Sequence, residues 1–383
     1  MLNKKIDWRS TLRQAMVPLL FIVIIALAIP LSGFSSAHLI GEILARFARD
    51  TFLAVSLIIP ILAGMGINFA ISLGAMAAQI GIIISQNFFV GGIPGMLLSA
   101  LIGLPFAILL GWFAGSVMNK AKGREMISSM ILAFLISGIY QFVVLYIMGG
   151  LIPIQNKDIL LSRGYGIKNS IPLATKGALD NLWNIKFKIP GIMRPLNIPI
   201  ATYIVIALVC VFVVWFKKTK IGHDMKAVGQ SQRVADSAGM KVDKIRLQSI
   251  IISTVMAMLG QLIYLQNIGT MNTYNGTDQT SLFAAAALLI GGASVASATI
   301  PNALIGVILF HLMFIVMPNA GKNLTGNPAI GEYFRSFISY GVVALALVMH
   351  AYSRKKAAEE ERKALHHQKA KDKLADGGAG AKA

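Results

Sequence analysis

GMGINFAISLGAMAAQIG, residues 64–81, holds no charged side chain, and neither does the longer run 51–119 that surrounds it. A helix needs about 20 mostly apolar residues to cross a bilayer. The run is long enough for three such helices, with Gly64 and Gly66 breaking the first from the second. Other stretches free of Asp, Glu, Lys and Arg are 14–41, 126–156, 195–216, 247–277, 279–321 and 336–353. Charged residues make up 13% of the 383 residues, about half the share of a soluble domain. The pattern predicts an all-α polytopic membrane protein. Its spans are 14–31, 50–65, 67–85, 95–117, 126–148, 198–216, 248–268, 281–297, 300–317 and 334–352, about ten transmembrane helices in all. Pro301 divides the eighth from the ninth.

Lys and Arg in short loops orient such helices. They precede the first span (Lys4, Lys5, Arg9, Arg13), follow the fourth (Lys120, Lys122, Arg124), fill 217–246 with eight and fill the tail from Arg354 with nine. With ten spans these clusters share the cytoplasmic side, which makes both termini cytoplasmic. The net charge of +19 is read as this orienting charge, not as a nucleic-acid footprint. The expected domains are a cytoplasmic N-terminus 1–13, a transmembrane domain 14–352 and a charged cytoplasmic tail 353–383. Within the second, 149–197 is an external loop and 217–247 a cytoplasmic segment. The external loop carries seven Lys/Arg against two Asp, but long loops cross regardless of charge. No A-x-A cleavage site follows Leu31, so the first span is read as retained. Cys210, the sole cysteine, excludes an intrachain disulfide. His366 and His367 in the tail read as solvated.

The charge-free runs leave the spans without Asp, Glu, Lys or Arg apart from Asp50 and Arg335 at the edges of the second and tenth, whereas ion-driven transporters commonly place such residues inside the membrane. His311 is the one titratable candidate deep in a span, as a proton relay or as a hydrogen-bonding tie between helices. There is no G-x-x-x-x-G-K-[ST] phosphate loop, and no nucleophile constellation for an enzyme. The polar candidates in the bundle are uncharged: Asn68, Ser72, Gln79, Gln141 and Asn302, with Asn87 and Gln261 beside them. They read as interhelical glue or, as a set, as the lining of a passage for a neutral, hydroxyl-rich solute. The small-residue stretches 64–81 and 284–306 (AAAALLIGGASVASATIPNALIG) permit close packing and interrupted helices of the kind that line transporter cavities. They hint at an internal repeat.

Between two greasy runs lies a polar island, GHDMKAVGQSQRVADSAGMKV, residues 222–242. Read as one helix over 223–238, it aligns Ala227, Ser231, Val234 and Ala238 on a small-residue face, beside Lys226, Gln230, Arg233 and Ser237. Gly239 suits a left-handed stop. Such a helix has little to bury against in its own chain, so it is expected to fill a partner's groove; the alternative is an amphipathic connector on the headgroups.

The island resembles the coupling segment of ABC importer permeases of the branched-chain amino acid/simple-sugar/nucleoside type. Gly222, Ala227, Gly229, Ala235, Gly239 and Val242 match its pattern, with Lys226 for Arg, Ser231 for Asn, Val234 for Ala and Met240 for Ile. Gly291–Ser294 is similar to that family's G-G-x-S, and REMISSMILAFLISGIYQF from Arg124 to its nucleoside branch. The resemblance covers about 50–350. It implies that Gly222, Lys226, Ala227, Gly229, Ser231, Arg233, Ala235 and Gly239 couple to a separate cytoplasmic ATPase. That subunit would hold ATP and Mg, this chain binding no cofactor itself. It also implies a second permease subunit, identical or related, an external or periplasmic solute-binding protein, and a place in the cell membrane. The substrate motifs depart from pattern: in F69-A-I-S-L-G74 Ala70 replaces the Asp of sugar permeases, and Asn68 stands without the Glu of nucleoside permeases. A sugar or nucleoside is favoured over a branched-chain amino acid. A standalone secondary transporter using His311 and a membrane scaffold are the competing readings.

Overall fold

The computed structural model describes residues 8–187, 196–327 and 329–337, with four isolated positions up to Val348. The first part of the expected N-terminal segment, most of the tenth span, and the whole tail 353–383 with His366 and His367 lie outside the described residues. Twelve helices are described: α1 (Trp8–Ser32), α2 (Ser36–Ser56), α3 (Ile58–Leu62), α4 (Ile71–Asn87), α5 (Gly92–Lys120), α6 (Glu125–Phe142), α7 (Ile200–Lys218), α8 (Lys220–Gln230), α9 (Gln232–Ser237), α10 (Val242–Ile268), α11 (Asp278–Ile290) and α12 (Ile300–Thr325). Five are long and apolar enough to cross a membrane: α5, α6 with the π turn that continues it to Ile147, α7, α10 and α12.

The chain departs from expectation first at 32–49, the stretch between the first two expected spans. Ser35 caps a helix there by accepting from the His38 amide, and α2 runs from Ser36 through Arg46, Arg49 and Asp50. Together α2 and α3 are about 40 Å long at 1.5 Å per residue. The charges are neutralised locally: Arg46 Nε lies 3.3 Å from Glu42 and Arg49 Nε 3.1 Å from Asp50. A rule that starts spans where charge stops cannot see a helix that pairs its charges inside the bundle.

Two interruptions define the architecture. After α3 the chain turns at Gly64 and Gly66, both at positive φ, and is not helical again until Ile71. After α11 it turns at Gly292 and resumes at Ile300, where Thr299 and Asn302 form a reciprocal capping box. The second break therefore lies at Gly291–Gly292, upstream of the expected breaker; Pro301 occupies the first turn of α12, where its missing N–H costs nothing.

The small residues permit backbone contact. A Cβ on Gly74 would strike the Thr254 carbonyl of α10, and one on Gly81 the Ser99 carbonyl of α5, so α4 is wedged between them. In the other half, Gly306 of α12 meets the Ala287 carbonyl and Gly291 meets that of Asn302. α10 packs on α2, α4 and α5, and α12 on α1, α2 and α11.

The connections sort to two ends. At one, β1 (Ser170–Pro172) pairs antiparallel with β4 (Thr270–Asn272), Gln86 donates to the Pro172 carbonyl at 2.9 Å and Asn323 to that of Leu31 at 2.9 Å. β2 (Asn184–Phe187) and β3 (Leu196–Pro199) form a second antiparallel pair there. Asp180 pins this long connection to the bundle by accepting from Thr202 at 2.6 Å, Gln266 at 2.8 Å and Asn267 at 2.6 Å. At the other end, Asn119 donates to the Asp243 carbonyl at 2.7 Å, and the two helix interruptions meet the segment 219–241.

Gly306→Val is expected to force α11 and α12 apart, destabilising the fold by about 1–3 kcal/mol as overpacking does. Thermal unfolding in detergent should register a lower Tm.

Candidate functional site

The polar island is two helices. Thr219 caps α8 by accepting from the Gly222 amide at 3.2 Å. At Ser231 the backbone extends to φ −158°, ψ 108°, and the serine side chain caps α9 by accepting from Val234 at 3.4 Å. The single helix expected over 223–238 is broken here because Ser231 offers the backbone a cap in place of another helical turn. Gly239, at φ 79°, turns the chain into α10.

The island also buries against its own chain, contrary to expectation. Gly222, Met225, Val228 and Ala235 are buried. Gly229 rests on the first interruption: its Cα lies 2.8 Å from where a Cβ on Gly64 would sit, and a Cβ on Gly229 would collide with the Leu62 carbonyl. The sequence could not supply this groove, because it forms only when α3 unwinds. What stays outward is Lys226, Ala227, Gln230, Arg233, Val234 (68% exposed), Ala238 and Gly239. Of the expected small-residue face, Ala227, Val234 and Ala238 remain outward, and Ser231 is used as a cap. Beside them an open groove runs between Lys122 and Gln232–Arg233, Asp236 and Gly239–Lys244.

Beneath the island lies a cleft walled by Gly64–Gly66, Gly123–Ile127, Gly229 and Val295–Ala296. The two interruptions touch here: a Cβ on Gly66 would sit 2.9 Å from Val295. Arg246, in the first turns of α10, is fully buried. It donates from Nη2 to Glu125 Oε1 at 2.5 Å and from Nη1 to Gln232 Oε1 at 3.2 Å. Sequence reading counted Arg246 among orienting loop charges. Its one visible signal was its place against the start of an apolar run, as Glu125 stands against another.

The expected passage residues divide. Ser72 lines a second cleft together with Ser281, Asp278, Phe69, Met130 and Phe134, between α4, α6 and α11. Asn68 is buried in the first interruption; its Oδ1 accepts from Ala70 at 3.0 Å and its Nδ2 has no partner among the described residues. Gln79 donates to the Asn272 carbonyl at 3.1 Å and accepts from the Tyr140 hydroxyl at 2.7 Å. Gln141 donates to the Tyr274 carbonyl at 3.1 Å. These two glutamines hold the irregular segment 270–277 against the bundle. Asn302 donates to the Gly291 carbonyl at 2.7 Å and caps α12, so it holds the second interruption rather than the cleft. The cleft residue missed by sequence is Asp278. It begins α11 and accepts from Ser137 of α6 at 3.0 Å; in the sequence it reads as a loop charge between two spans.

His311 meets an unforeseen carboxylate. Its Nε2 lies 2.9 Å from Asp50 Oδ2, and Arg49, whose Nε lies 3.1 Å from the same oxygen, stacks its guanidinium over Tyr264. The bundle interior is thus not free of charge, as the charge-free runs had implied. Phe310 and Phe314 flank His311.

Gly229→Ala should push α8 off the first interruption at a cost of about 1–3 kcal/mol, read as a lower Tm and as faster proteolysis between Lys218 and Lys241.

Comparison with known proteins places the chain among importer permeases by sequence. The chain is 25% identical over 335 residues to the ribose import permease protein RbsC of Escherichia coli, covering 86% of this chain and 90% of that one. It is 26% identical to the fructose import permease protein FruG of Bifidobacterium longum, over 73% of this chain and 76% of the relative. With the nucleoside ABC transporter permease protein NupB of Lactococcus lactis it shares 23% identity, over 78% and 76%. No solved structure matches it significantly. The profile of the family described as "Branched-chain amino acid transport system / permease component" matches residues 39–348. The chain belongs to that family: it is a membrane-embedded permease subunit of the ABC importer type, and ATP hydrolysis belongs to a separate subunit.

Proposed function

We propose that the chain is the translocating subunit of a binding-protein-dependent importer for a neutral polar metabolite, a simple sugar or a nucleoside ahead of a branched-chain amino acid. The observation that carries this reading is the cleft between α4, α6 and α11. Ser72, Ser281 and Asp278 offer it hydroxyls and one carboxylate, beside the rings of Phe69 and Phe134. Such a surface suits a solute with hydroxyl donors and an apolar face. A zwitterionic amino acid would need a cation for its carboxylate, and no cation lines the cleft. The printed names of the relatives, for ribose, fructose and nucleosides, support the same class.

In this reading about ten spans cross the membrane, and the end that holds α8 and α9 faces the cytoplasm. Lys226, Ala227, Gln230, Arg233 and Val234 receive an ATPase subunit that binds ATP and Mg. A second permease subunit, identical or related, completes the passage, and an external solute-binding protein delivers the solute to the end that holds β1–β4. Movement at α8–α9 opens and closes the cleft where the two interruptions meet.

An ATPase subunit should co-purify with the intact chain in detergent and be lost from Ala227→Asp/Val234→Asp, whose substituted positions are exposed and leave the buried Met225, Val228 and Ala235 in place. Asp278→Asn should reduce uptake of the preferred solute roughly 10-fold or more, as loss of a charge-assisted hydrogen bond does, with the ATPase still bound. Competition by unlabelled ribose, uridine and leucine then ranks the three substrate classes; inhibition by leucine alone would overturn the class proposed.

The competing reading makes His311 a proton relay. Its hydrogen bond to Asp50 and its place between Phe310 and Phe314 favour a tie between α2 and α12. His311→Ala is expected to lower Tm while uptake per folded complex stays ATP-dependent. Proton-driven uptake abolished by this variant would reverse the assignment.

A further inference from the structure

Arg246 has the largest side chain among the fully buried residues. Its guanidinium joins three elements: α10, which carries it, α9 through Gln232, and α6 through Glu125. A planar fork with fixed donors suits such a bridge, because displacing either acceptor misaligns its bond. For stability alone the choice is unremarkable, since well-packed apolar residues commonly replace a buried ion pair at no loss. What the pair supplies is fixed relative placement of the elements it joins.

That placement matters because of what each partner adjoins. Gln232 precedes Arg233 on the outward surface of α9. Glu125 begins α6 and lines the cleft with Gly64–Gly66 and Val295–Ala296, where the two interruptions touch. Two other polar contacts at this end, Lys122 with Asp243 and Asn119 with the Asp243 carbonyl, are at the surface, where water competes and salt screens. The Arg246 bridge is shielded from both.

We propose that Arg246 is a positioning residue that transmits displacement of α8–α9 to α6 and the inner mouth of the passage, through its bonds to Gln232 and Glu125. This rests on the reading that α8–α9 receives the ATPase. Displacement of α9 pulls Gln232 and Arg246 together, and Arg246 carries Glu125 with it, so the start of α6 moves relative to both interruptions.

The test uses the assembled complex with its ATPase, in a Cys210→Ser background. Spin labels at Ile221→Cys on α8, outside the surface that receives the ATPase, and Ile127→Cys on α6 are each paired with Leu324→Cys at the far end of α12; all three positions are exposed. Distances are measured before and after trapping with ATP and vanadate. In the parent both pairs should shift. In Glu125→Ala and in Gln232→Ala the α8 pair should still shift, whereas the α6 shift is lost. The exchange Glu125→Arg/Arg246→Glu should restore part of it, which a generally loosened fold would not do. Gln232→Ala removes no charge, so it keeps the test valid should the ion-pair variants fold poorly. An undiminished α6 shift in Gln232→Ala and Glu125→Ala, with the ATPase retained, overturns the assignment of Arg246 alone. A parent complex that retains no ATPase overturns the reading of α8–α9 along with it.

Discussion

The structure depends on the requirement that backbone groups freed by a broken helix find partners where water is excluded. Two helices are interrupted, at 63–70 and at 291–299, and side chains repair both. In the first, the Phe69 amide donates to Ser129 of α6 at 3.2 Å and that of Ala70 to Asn68. In the second, Asn302 donates to the Gly291 carbonyl and closes a capping box with Thr299. Ser294 accepts from the amides of Ala296 and Ser297. Because the breaks are satisfied, they can come together at Gly66 and Val295 and make an inner mouth of irregular backbone. The island α8–α9 can then seat Gly229 on the turn itself.

On the proposed reading, this places the moving parts of the importer in direct contact. The outward surface of α8–α9, the floor of the cleft and the first turn of α6 are joined by one glycine contact and one buried guanidinium. Short, rigid connections suit a device that converts docking at one surface into rearrangement at another, since a packed interface shifts between discrete arrangements instead of deforming continuously. The long connection at the opposite end is held by Asp180 and the β1–β4 pairing.

Much was legible in the sequence because lipid imposes a simple rule on composition. Charge-free runs located most of the helices, and Gly64 and Gly66 marked the first interruption. The island's pattern carried the family. The misreadings share one cause. Asp50, Glu125, Arg246 and Asp278 stand at the edges of apolar runs, where one-dimensional reading assigns charges to loops. Each has its partner on another helix: His311, Arg246, Glu125 and Ser137 in turn. Gln79, Gln141 and Asn302 were visible as polar residues, but whether each faces solute or holds backbone depends on what stands opposite.

By itself, then, the sequence determined that this chain is a helical membrane permease with an outward polar segment, because hydropathy and a glycine-spaced motif are local properties. Tertiary structure alone decided that the segment is two helices seated on a broken one, that Asn302 is a cap, that Asp278 enters the cleft and that Arg246 bridges α9 to α6. Apart from the Thr299–Asn302 cap, those facts rest on pairings between residues far apart in the chain, and such a pairing exists only once the helices have packed.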